Sequence, residues 1–375
     1  MRLKGESAYS ELPNNYIYTR RNPLGVVSII TPWNFPWAIP CWKIAPALVA
    51  GNAVVFKPAS NTPKLAVKLV ELFEEAGLPE GVLNLVIGSG STVGDELLNH
   101  EIIDGVSFTG SNSIGNHVNA QAAKRLIPAC LEMGGKNACI ILPDADKEAA
   151  LGGIVNGATG NAGQRCTATS RLIVHEDVAD EMVDMVLEEF KKLDVGPGLE
   201  DSDVAAVVDE GAYNDILEYI RVGDEEDGAD LLFGGEPLKS GTYENGYFIQ
   251  PALFDHVESD MRIAQEEIFG PVLSVIRVSS MEEAIEVNNS VKYGLSTAVY
   301  SENFNTIMQM VEAVDTGKVH VNSPTLGGEA HMPFGGTKAT GVGPREMSHE
   351  GIEFFTEQST IFMDYSGGVR EEDIY

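Results

Sequence analysis

Val26-Val27-Ser28-Ile29-Ile30-Thr31-Pro32 and, further on, Ala53-Val54-Val55-Phe56-Lys57-Pro58 decide the fold. Each is a short, β-branched apolar run stopped by a proline, the pattern of a strand buried on both faces. Between them Lys43 to Val49 predicts a short helix with Gly51 near its end. Beyond them Thr62 is a good N-cap and Pro63 suits the first helical position. Leu65, Leu69, Val70 and Phe73 then share one face, and Gly77 followed by Pro79 closes the helix. Val82-Leu83-Asn84-Leu85-Val86 and Gly105-Val106-Ser107-Phe108 continue the strand series. The βαβα order predicts a parallel sheet covered by helices. A second block opens at Ala138-Cys139-Ile140-Ile141-Leu142, with a strand from Arg171 to Val174 and an amphipathic helix from about Asp177 to Leu193. Gly196-Pro197-Gly198 and the acidic stretch around Asp224 to Asp230 are expected as solvated surface loops. The polar tail from Gly367 to Tyr375 is expected to fray.

A chain of 375 residues exceeds one ordinary core, so two domains are expected, and 43% hydrophobic residues supply their interiors. Acidic residues number 56 against 25 basic ones, a net charge of −31. Such a surface repels nucleic acid and anionic membranes, both of which recruit basic patches. It suits an enzyme adapted to high salt, where screening relieves self-repulsion. No apolar run reaches membrane-spanning length, and Met1-Arg2-Leu3-Lys4 leads into no signal-like segment. The four cysteines (Cys41, Cys130, Cys139, Cys166) show no CxxC and no nearby histidine in ligand spacing, so no metal and no disulfide scaffold are expected. A reducing cytoplasm is the expected location.

Gly163-Gln164-Arg165-Cys166-Thr167 follows a run of small residues, so backbone can approach the thiol and a small substrate can reach it. Cys166 is a nucleophile if a base or a lowered pKa activates it, and a small buried apolar residue otherwise. Glu132, in Leu131-Glu132-Met133-Gly134-Gly135-Lys136, sits among apolar neighbours that would raise its pKa toward general-base work; a strand-end glutamate facing water is the alternative. The Asn34 amide, in Trp33-Asn34-Phe35-Pro36, either donates to a developing oxyanion or caps a turn. Phe108-Thr109-Gly110-Ser111 ends a strand and enters a helix, where free N–H groups attract an anion; the spacing is GxxxxG, and an ordinary turn reads equally well. Lys57 stands at a strand's carboxyl end, a ligand position in open α/β sheets or a plain surface lysine. Glu267 and Phe269 precede a Gly-Pro stop.

Seven blocks in order, Thr31–Pro36, Phe56–Ala59, Phe108–Ser111, Leu131–Lys136, Gly163–Cys166, Glu267–Pro271 and Pro333-Phe334-Gly335-Gly336, make the chain resemble the aldehyde dehydrogenase superfamily. The resemblance implies a Rossmann-like parallel-sheet cofactor domain, an α/β catalytic domain and a small β extension that pairs subunits. The expected division is 1–23 for the first extension strand, 24–134 for the cofactor domain, 135–345 for the catalytic domain and 346–375 for the last segment. Tyr16-Ile17-Tyr18-Thr19 and Thr360-Ile361-Phe362-Met363-Asp364 match the extension, implying a homodimer or homotetramer. By the same likeness Cys166 attacks an aldehyde, Asn34 and the Cys166 N–H steady the oxyanion, and Glu132 activates water against the thioester. NAD or NADP would meet Thr31, Trp33, Lys57, Ser60, Gly90, Gly94, Gly110, Ser111, Met133, Gly134, Glu267 and Phe269.

Two departures from the family pattern carry expectations. Many NAD-preferring members have a glutamate where this chain has Ser60; a serine beside Lys57 removes the repulsion of a 2′-phosphate, so NADP is favoured. Members also carry a substantial segment ahead of the residues matching Tyr16, and its lack here would leave the cofactor sheet short of neighbours. Gly163–Arg171 and Gly343-Pro344-Arg345-Glu346 look most like 2-oxoglutarate semialdehyde (2,5-dioxopentanoate) dehydrogenases, with Arg165 or Arg171 available to a substrate carboxylate. Succinate semialdehyde and betaine aldehyde enzymes are similar neighbours, and Glu132 argues against a CoA-acylating one. The competing classes are a catalytically impaired relative with a structural or interaction role and a thiol-dependent esterase.

Overall fold

The structure, a computed structural model, describes residues 3–367, so 368–375 of the expected frayed tail lie outside the described residues. It begins with β1 (Ser7–Tyr9) and β2 (Asn15–Pro23). Next come β3 (Val26–Ile30), α1 (Ala38–Val49), β4 (Ala53–Lys57), α2 (Pro63–Glu75) and β5 (Leu83–Leu85). They are followed by α3 (Asp95–Asn99), β6 (Gly105–Thr109), α4 (Asn112–Arg125) and β7 (Ala129–Glu132). These strands form a parallel sheet in the order β7-β6-β3-β4-β5, and a later strand pairs antiparallel along β7. The chain winds outward from β3 to β5, then returns to lay β6 on the other side of β3. That reversal is a topological switch point, where open α/β sheets leave a crevice for a ligand.

Local chemistry explains most boundaries. Pro63 opens α2, and Gly77 ends it at φ +88°, a conformation that a β-carbon disfavours. Two expectations there need correction. Leu65 is 41% exposed, with Ala66 taking the buried face. The Thr62 hydroxyl makes no cap hydrogen bond and has no partner among the described residues. The helix expected from Lys43 begins at Ala38, because Pro40 falls in the first turn, where a missing N–H removes no helical bond.

The second block contains β8 (Asn137–Ile141), α5 (Lys147–Thr159), β9 (Thr169–His175), α6 (Glu176–Phe190), α7 (Glu210–Arg221) and β10 (Asp230–Phe233). Then follow β11 (Pro237–Leu238), β12 (Phe248–Ile249), β13 (Ala252–Asp255), α8 (Arg262–Gln265), β14 (Val272–Val278) and α9 (Met281–Asn289). Next are β15 (Tyr293–Gly294), β16 (Ser296–Tyr300), α10 (Phe304–Ala313), β17 (Lys318–Val321) and β18 (Thr337–Lys338). The chain closes with β19 (Gly341–Val342), the strand that pairs with β7, then α11 (Ser348–Phe354) and β20 (Thr356–Asp364). The second sheet runs β10-β13-β14-β9-β8-β16-β17, parallel except at β10. Every residue of β8 is buried, as expected for a central strand with helices on both faces. Residues 222–227 of the acidic stretch are not a loop but helical turns continuing α7. Arg221 clamps Glu218, Glu225 and Glu226 there, relieving the repulsion that pointed to a loop.

The extension forms as expected from its two segments. β2 pairs antiparallel with β20 in the register Tyr16↔Met363, Ile17↔Phe362, Tyr18↔Ile361 and Thr19↔Thr360. Tyr16, Phe362 and Met363 on this ribbon are exposed apolar residues. Among the described residues no helix is long and apolar enough to cross a membrane, and no cluster of His, Cys, Asp or Glu could hold a metal.

Candidate active site

The site lies where the carboxyl ends of β3, β4, β6 and β7 meet the segments that precede β8, β9, β14 and β17. Only Met133, Gly134, Gly135 and Lys136 separate β7 from β8, so the two sheets are tied together at this point.

Cys166 sits on a tightly strained approach. Asn161, Ala162 and Gly163 occupy the left-handed region in succession, with φ 56°, 52° and 68°. Such strain persists only where surrounding structure holds it, typically at functional sites. Gly163 is required twice over: besides its φ, a β-carbon there would lie 2.1 Å from the Gly270 carbonyl oxygen. Asn137, first residue of β8, donates to the carbonyls of Cys166 and Ala168, both at 2.8 Å, and fixes the loop from below. Asn34 reaches the loop from the other sheet: its Nδ2 donates to the Gln164 carbonyl at 3.1 Å. The amide has a second hydrogen to offer, and its Oδ1 has no partner among the described residues. Half-buried Cys166 packs against the cluster of Leu295, Phe334 and Met347, as does Trp42. Burial, with the negative fields of Glu267 and Glu132, pushes the thiol up to about 12, opposed by Lys318. The lowered thiol pKa that would mark a nucleophile is therefore absent from the protein alone.

Glu132, last residue of β7, is buried and not the water-facing alternative. Its Oε1 lies where a β-carbon on Gly335 would fall, 2.3 Å away, and its Oε2 has no partner among the described residues. Burial foremost, then the neighbouring Glu346 carboxylate, raises it well above the usual carboxylate range. Sequence reasoning quoted Glu346 only within a resembling block and missed its partners and its place beside Glu132. The Glu346 carboxylate accepts from Trp42 Nε1 at 2.7 Å and from the Lys43 ammonium, itself bonded to Ser107 Oγ at 3.0 Å. Trp42 and Lys43 lie in α1 and Glu346 near the chain's end, so no local pattern joins them.

The cofactor candidates gather along the switch point. Thr31 follows β3, is buried, and leaves its Oγ1 without a partner among the described residues. Trp33 meets Phe269 edge-on at a centroid distance of 5.8 Å. Lys57 is 5% exposed, not a surface lysine, and among the described residues its ammonium donates only to the Pro58 carbonyl, at 3.2 Å. Burial lowers its pKa. Ser60 Oγ donates to Gly88 O at 3.3 Å, and a β-carbon on Gly94 would touch Lys57 Cε, so 57–60 and the turn from Gly90 to Gly94 form one cradle. Gly110 follows β6, and Ser111 caps α4, accepting weakly from Ile114 N at 3.5 Å. Met133 packs beneath Gly115 of α4, and Gly134 lies so near the Glu267 carboxylate that any side chain would collide with it. Glu267 accepts from Gly135 N at 3.0 Å, and burial lifts it to about 7. A hydroxyl with no partner and a buried ammonium with no carboxylate among the described residues, beside glycines that a β-carbon would fill, suit a nucleotide with an anionic linkage.

Of the two arginines considered for substrate, Arg171 is corrected. It is 2% exposed and donates to the carbonyls of Lys136, Val287 and Asn288 at 3.0, 2.9 and 3.2 Å, so it is structural. Arg165 packs over Gly160, its Nε without a partner among the described residues.

The sequence profile described as the aldehyde dehydrogenase family matches residues 1–361. The chain belongs to the aldehyde dehydrogenase family. It is 45% identical over 364 residues to an alpha-ketoglutaric semialdehyde dehydrogenase of Bacillus subtilis, covering 97% of this chain and 74% of the relative. An alpha-ketoglutarate semialdehyde dehydrogenase of Haloferax volcanii is 44% identical over 364 residues, covering 97% and 75%. A crystal structure of betaine aldehyde dehydrogenase from Staphylococcus aureus in complex with NAD+ superposes with a TM-score of 0.94 at 36% identity, covering 97% of this chain and 72% of that one. This aldehyde dehydrogenase is accordingly an oxidoreductase with a Rossmann-like fold that oxidises an aldehyde to an acid.

Proposed function

We propose that this aldehyde dehydrogenase oxidises 2-oxoglutarate semialdehyde to 2-oxoglutarate with NAD or NADP, and that Cys166, Asn34 and Glu132 carry the chemistry. The observation that carries the site assignment is the 3.1 Å bond from Asn34 Nδ2 to the Gln164 carbonyl, which sets an amide donor two residues from the thiol although the two lie on different sheets. The relatives' names and the breadth of the likeness support the substrate.

Cys166, its thiol proton passing to solvent, adds through Sγ to the aldehyde carbon to give a thiohemiacetal whose oxyanion accepts from Asn34 Nδ2 and the Cys166 N–H. Loss of hydride from that carbon leaves the thioester. A nicotinamide cofactor, when bound, supplies the hydride acceptor. Thr31, Lys57 and Ser60 would hold its adenosine side, Gly110 and Ser111 its phosphates, and Glu267 with Phe269 its nicotinamide end. Glu132 then takes a proton from the water that attacks the thioester, and the acid leaves. Burial and the Glu346 carboxylate raise its pKa and so disfavour the charged base, and turnover should rise with pH as it ionises.

Ser60, which places no carboxylate beside Lys57, supports acceptance of NADP. The apolar side chains exposed on β2 and β20 support pairing of subunits, as a homodimer or homotetramer. The decisive experiment follows absorbance at 340 nm with 2-oxoglutarate semialdehyde, succinate semialdehyde and betaine aldehyde, each with NAD and NADP. A kcat/KM for 2-oxoglutarate semialdehyde at least about tenfold above the other two supports the reading. Equal or lower values reject the substrate.

A further inference from the structure

We infer that Lys318 is a specificity-determining residue, a cation that receives the carboxylate end of the aldehyde beside Cys166. This deepens the reading above, since it rests on Cys166 as the nucleophile.

Lys318 opens β17, the edge strand of the seven-stranded sheet. Its ammonium stands 4.9 Å from the centroid of the Phe334 ring, and Phe334 belongs to the small apolar cluster that packs Cys166. The same ammonium donates to the carbonyl of Gly327. A lysine ammonium has three hydrogens, so the ring and one carbonyl leave donor capacity. No carboxylate among the described residues pairs with it, although acidic residues outnumber basic ones 56 to 25. Lys43 has Glu346, Lys147 has Glu181 and Lys338 has Asp315, whereas Lys318 shares with the buried Lys57 and Lys136 the lack of an acid partner among the described residues. Lys318 is half-buried, and burial lowers its pKa, so its charge is partly desolvated and has no counterion among the described residues. Its field reaches the sulfur, where it opposes those of Glu267 and Glu132.

A neutral aldehyde would leave that cation uncompensated next to the reacting carbon, whereas an aldehyde with a carboxylate at its far end would neutralise it. Partial desolvation makes such pairing worth more than at the surface. Arg165 is the nearest rival, being adjacent to Cys166 in sequence. Its guanidinium lies over Gly160, however, and the charge felt at the sulfur is that of Lys318.

The test compares two aldehydes of equal chain length, 5-oxopentanoate and pentanal, in the wild type, Lys318→Met, Lys318→Arg and Arg165→Gln. The expected result is a wild-type preference for 5-oxopentanoate in kcat/KM. In Lys318→Met the loss on 5-oxopentanoate should exceed the loss on pentanal by at least about 30-fold, with Lys318→Arg restoring most of the difference. Equal losses on both aldehydes would mean that Lys318 serves the thiol or the fold, and would overturn the inference. So would a wild type that does not distinguish them, or a preference lost only in Arg165→Gln. A second readout needs no turnover: glutarate should slow alkylation of Cys166 by iodoacetamide in the wild type and not in Lys318→Met. Glutarate protection that is absent from the wild type, or equal in both proteins, would also overturn it. Should neither aldehyde be oxidised while protection behaves as expected, the proposed reaction fails and the anion site stands.

Discussion

The two sheets present opposite ends to the same cleft. In the six-stranded sheet the candidate residues follow strands: Thr31, Trp33 and Asn34 after β3, Lys57 at the end of β4, Gly110 and Ser111 after β6, Glu132 at the end of β7. In the seven-stranded sheet they precede them: Cys166 before β9, Glu267 and Phe269 before β14, Lys318 at the start of β17. The first arrangement obeys the rule that open α/β sheets bind ligands beyond the carboxyl ends of their strands. The second inverts it. A strand-to-helix turn offers free N–H groups to an anion, which suits a nucleotide. A loop entering a buried strand can instead be pinned by the strand beside it, as Asn137 at the start of β8 pins Cys166 ahead of β9, which suits a nucleophile whose position must not drift.

The division of labour breaks most readily at its extremes. Cys166→Ala should lower kcat by at least about 10⁴-fold while leaving cofactor affinity, read by fluorescence titration, within about threefold. Lys57→Met should do the reverse, raising the cofactor KM by about 10 to 100-fold with a smaller fall in kcat. If the two variants show the same pattern, the ends of the sheets do not divide binding from chemistry.

The thiol supplies the next largest effect. Because Cys166 is pushed up to about 12 in the protein alone, the thiolate fraction grows about tenfold per pH unit below that value. Alkylation by iodoacetamide should therefore accelerate by about 10³ between pH 7 and pH 10 without levelling off. A plateau near pH 8 would show the sulfur already activated before any ligand arrives.

These contrasts also explain what the sequence could reveal. Residues after strands were legible because proline and glycine mark the stops: Pro32, Pro58 and Gly110 each announce a turn beside a candidate. The Cys166 loop was legible from its small residues. Lys318 was not, since Gly317-Lys318-Val319-His320-Val321 reads as an ordinary strand start, and nothing local reveals that Phe334 folds beneath the ammonium. The Lys43–Glu346 pair spans 303 positions and leaves no periodic trace. Arg165 and Arg171 looked interchangeable because the carbonyls that consume Arg171 come from Lys136, Val287 and Asn288. The acidic turn at 222–227 misled for a related reason: its repulsion is relieved by Arg221, one turn back on the same helix.

A smaller effect sharpens the binding half. Ser60→Glu puts a carboxylate into the cradle beside Lys57, where it would attract ribose hydroxyls and repel a 2′-phosphate. The ratio of kcat/KM for NADP over NAD should fall about 30-fold, roughly 2 kcal/mol. An unchanged ratio would place the adenosine end elsewhere.

The smallest effect concerns stability at the seam between the sheets. Glu132 has a folded pKa raised above its ordinary 4.5 by burial and by Glu346, so the folded chain binds that proton more tightly than the unfolded chain. The resulting contribution is fully present below about 4.5, the unfolded value, and is lost as pH rises toward the folded one. At pH 8 the wild type therefore carries a penalty that a neutral amide escapes. Glu132→Gln should melt a few degrees higher than the wild type at pH 8, with a smaller difference at pH 5, while losing most turnover. Calorimetry at the two pH values reads the difference directly. A variant less stable at pH 8 would mean that the carboxylate is held by partners strong enough to favour its charge, and the water-activating role would then lose the raised pKa on which it depends.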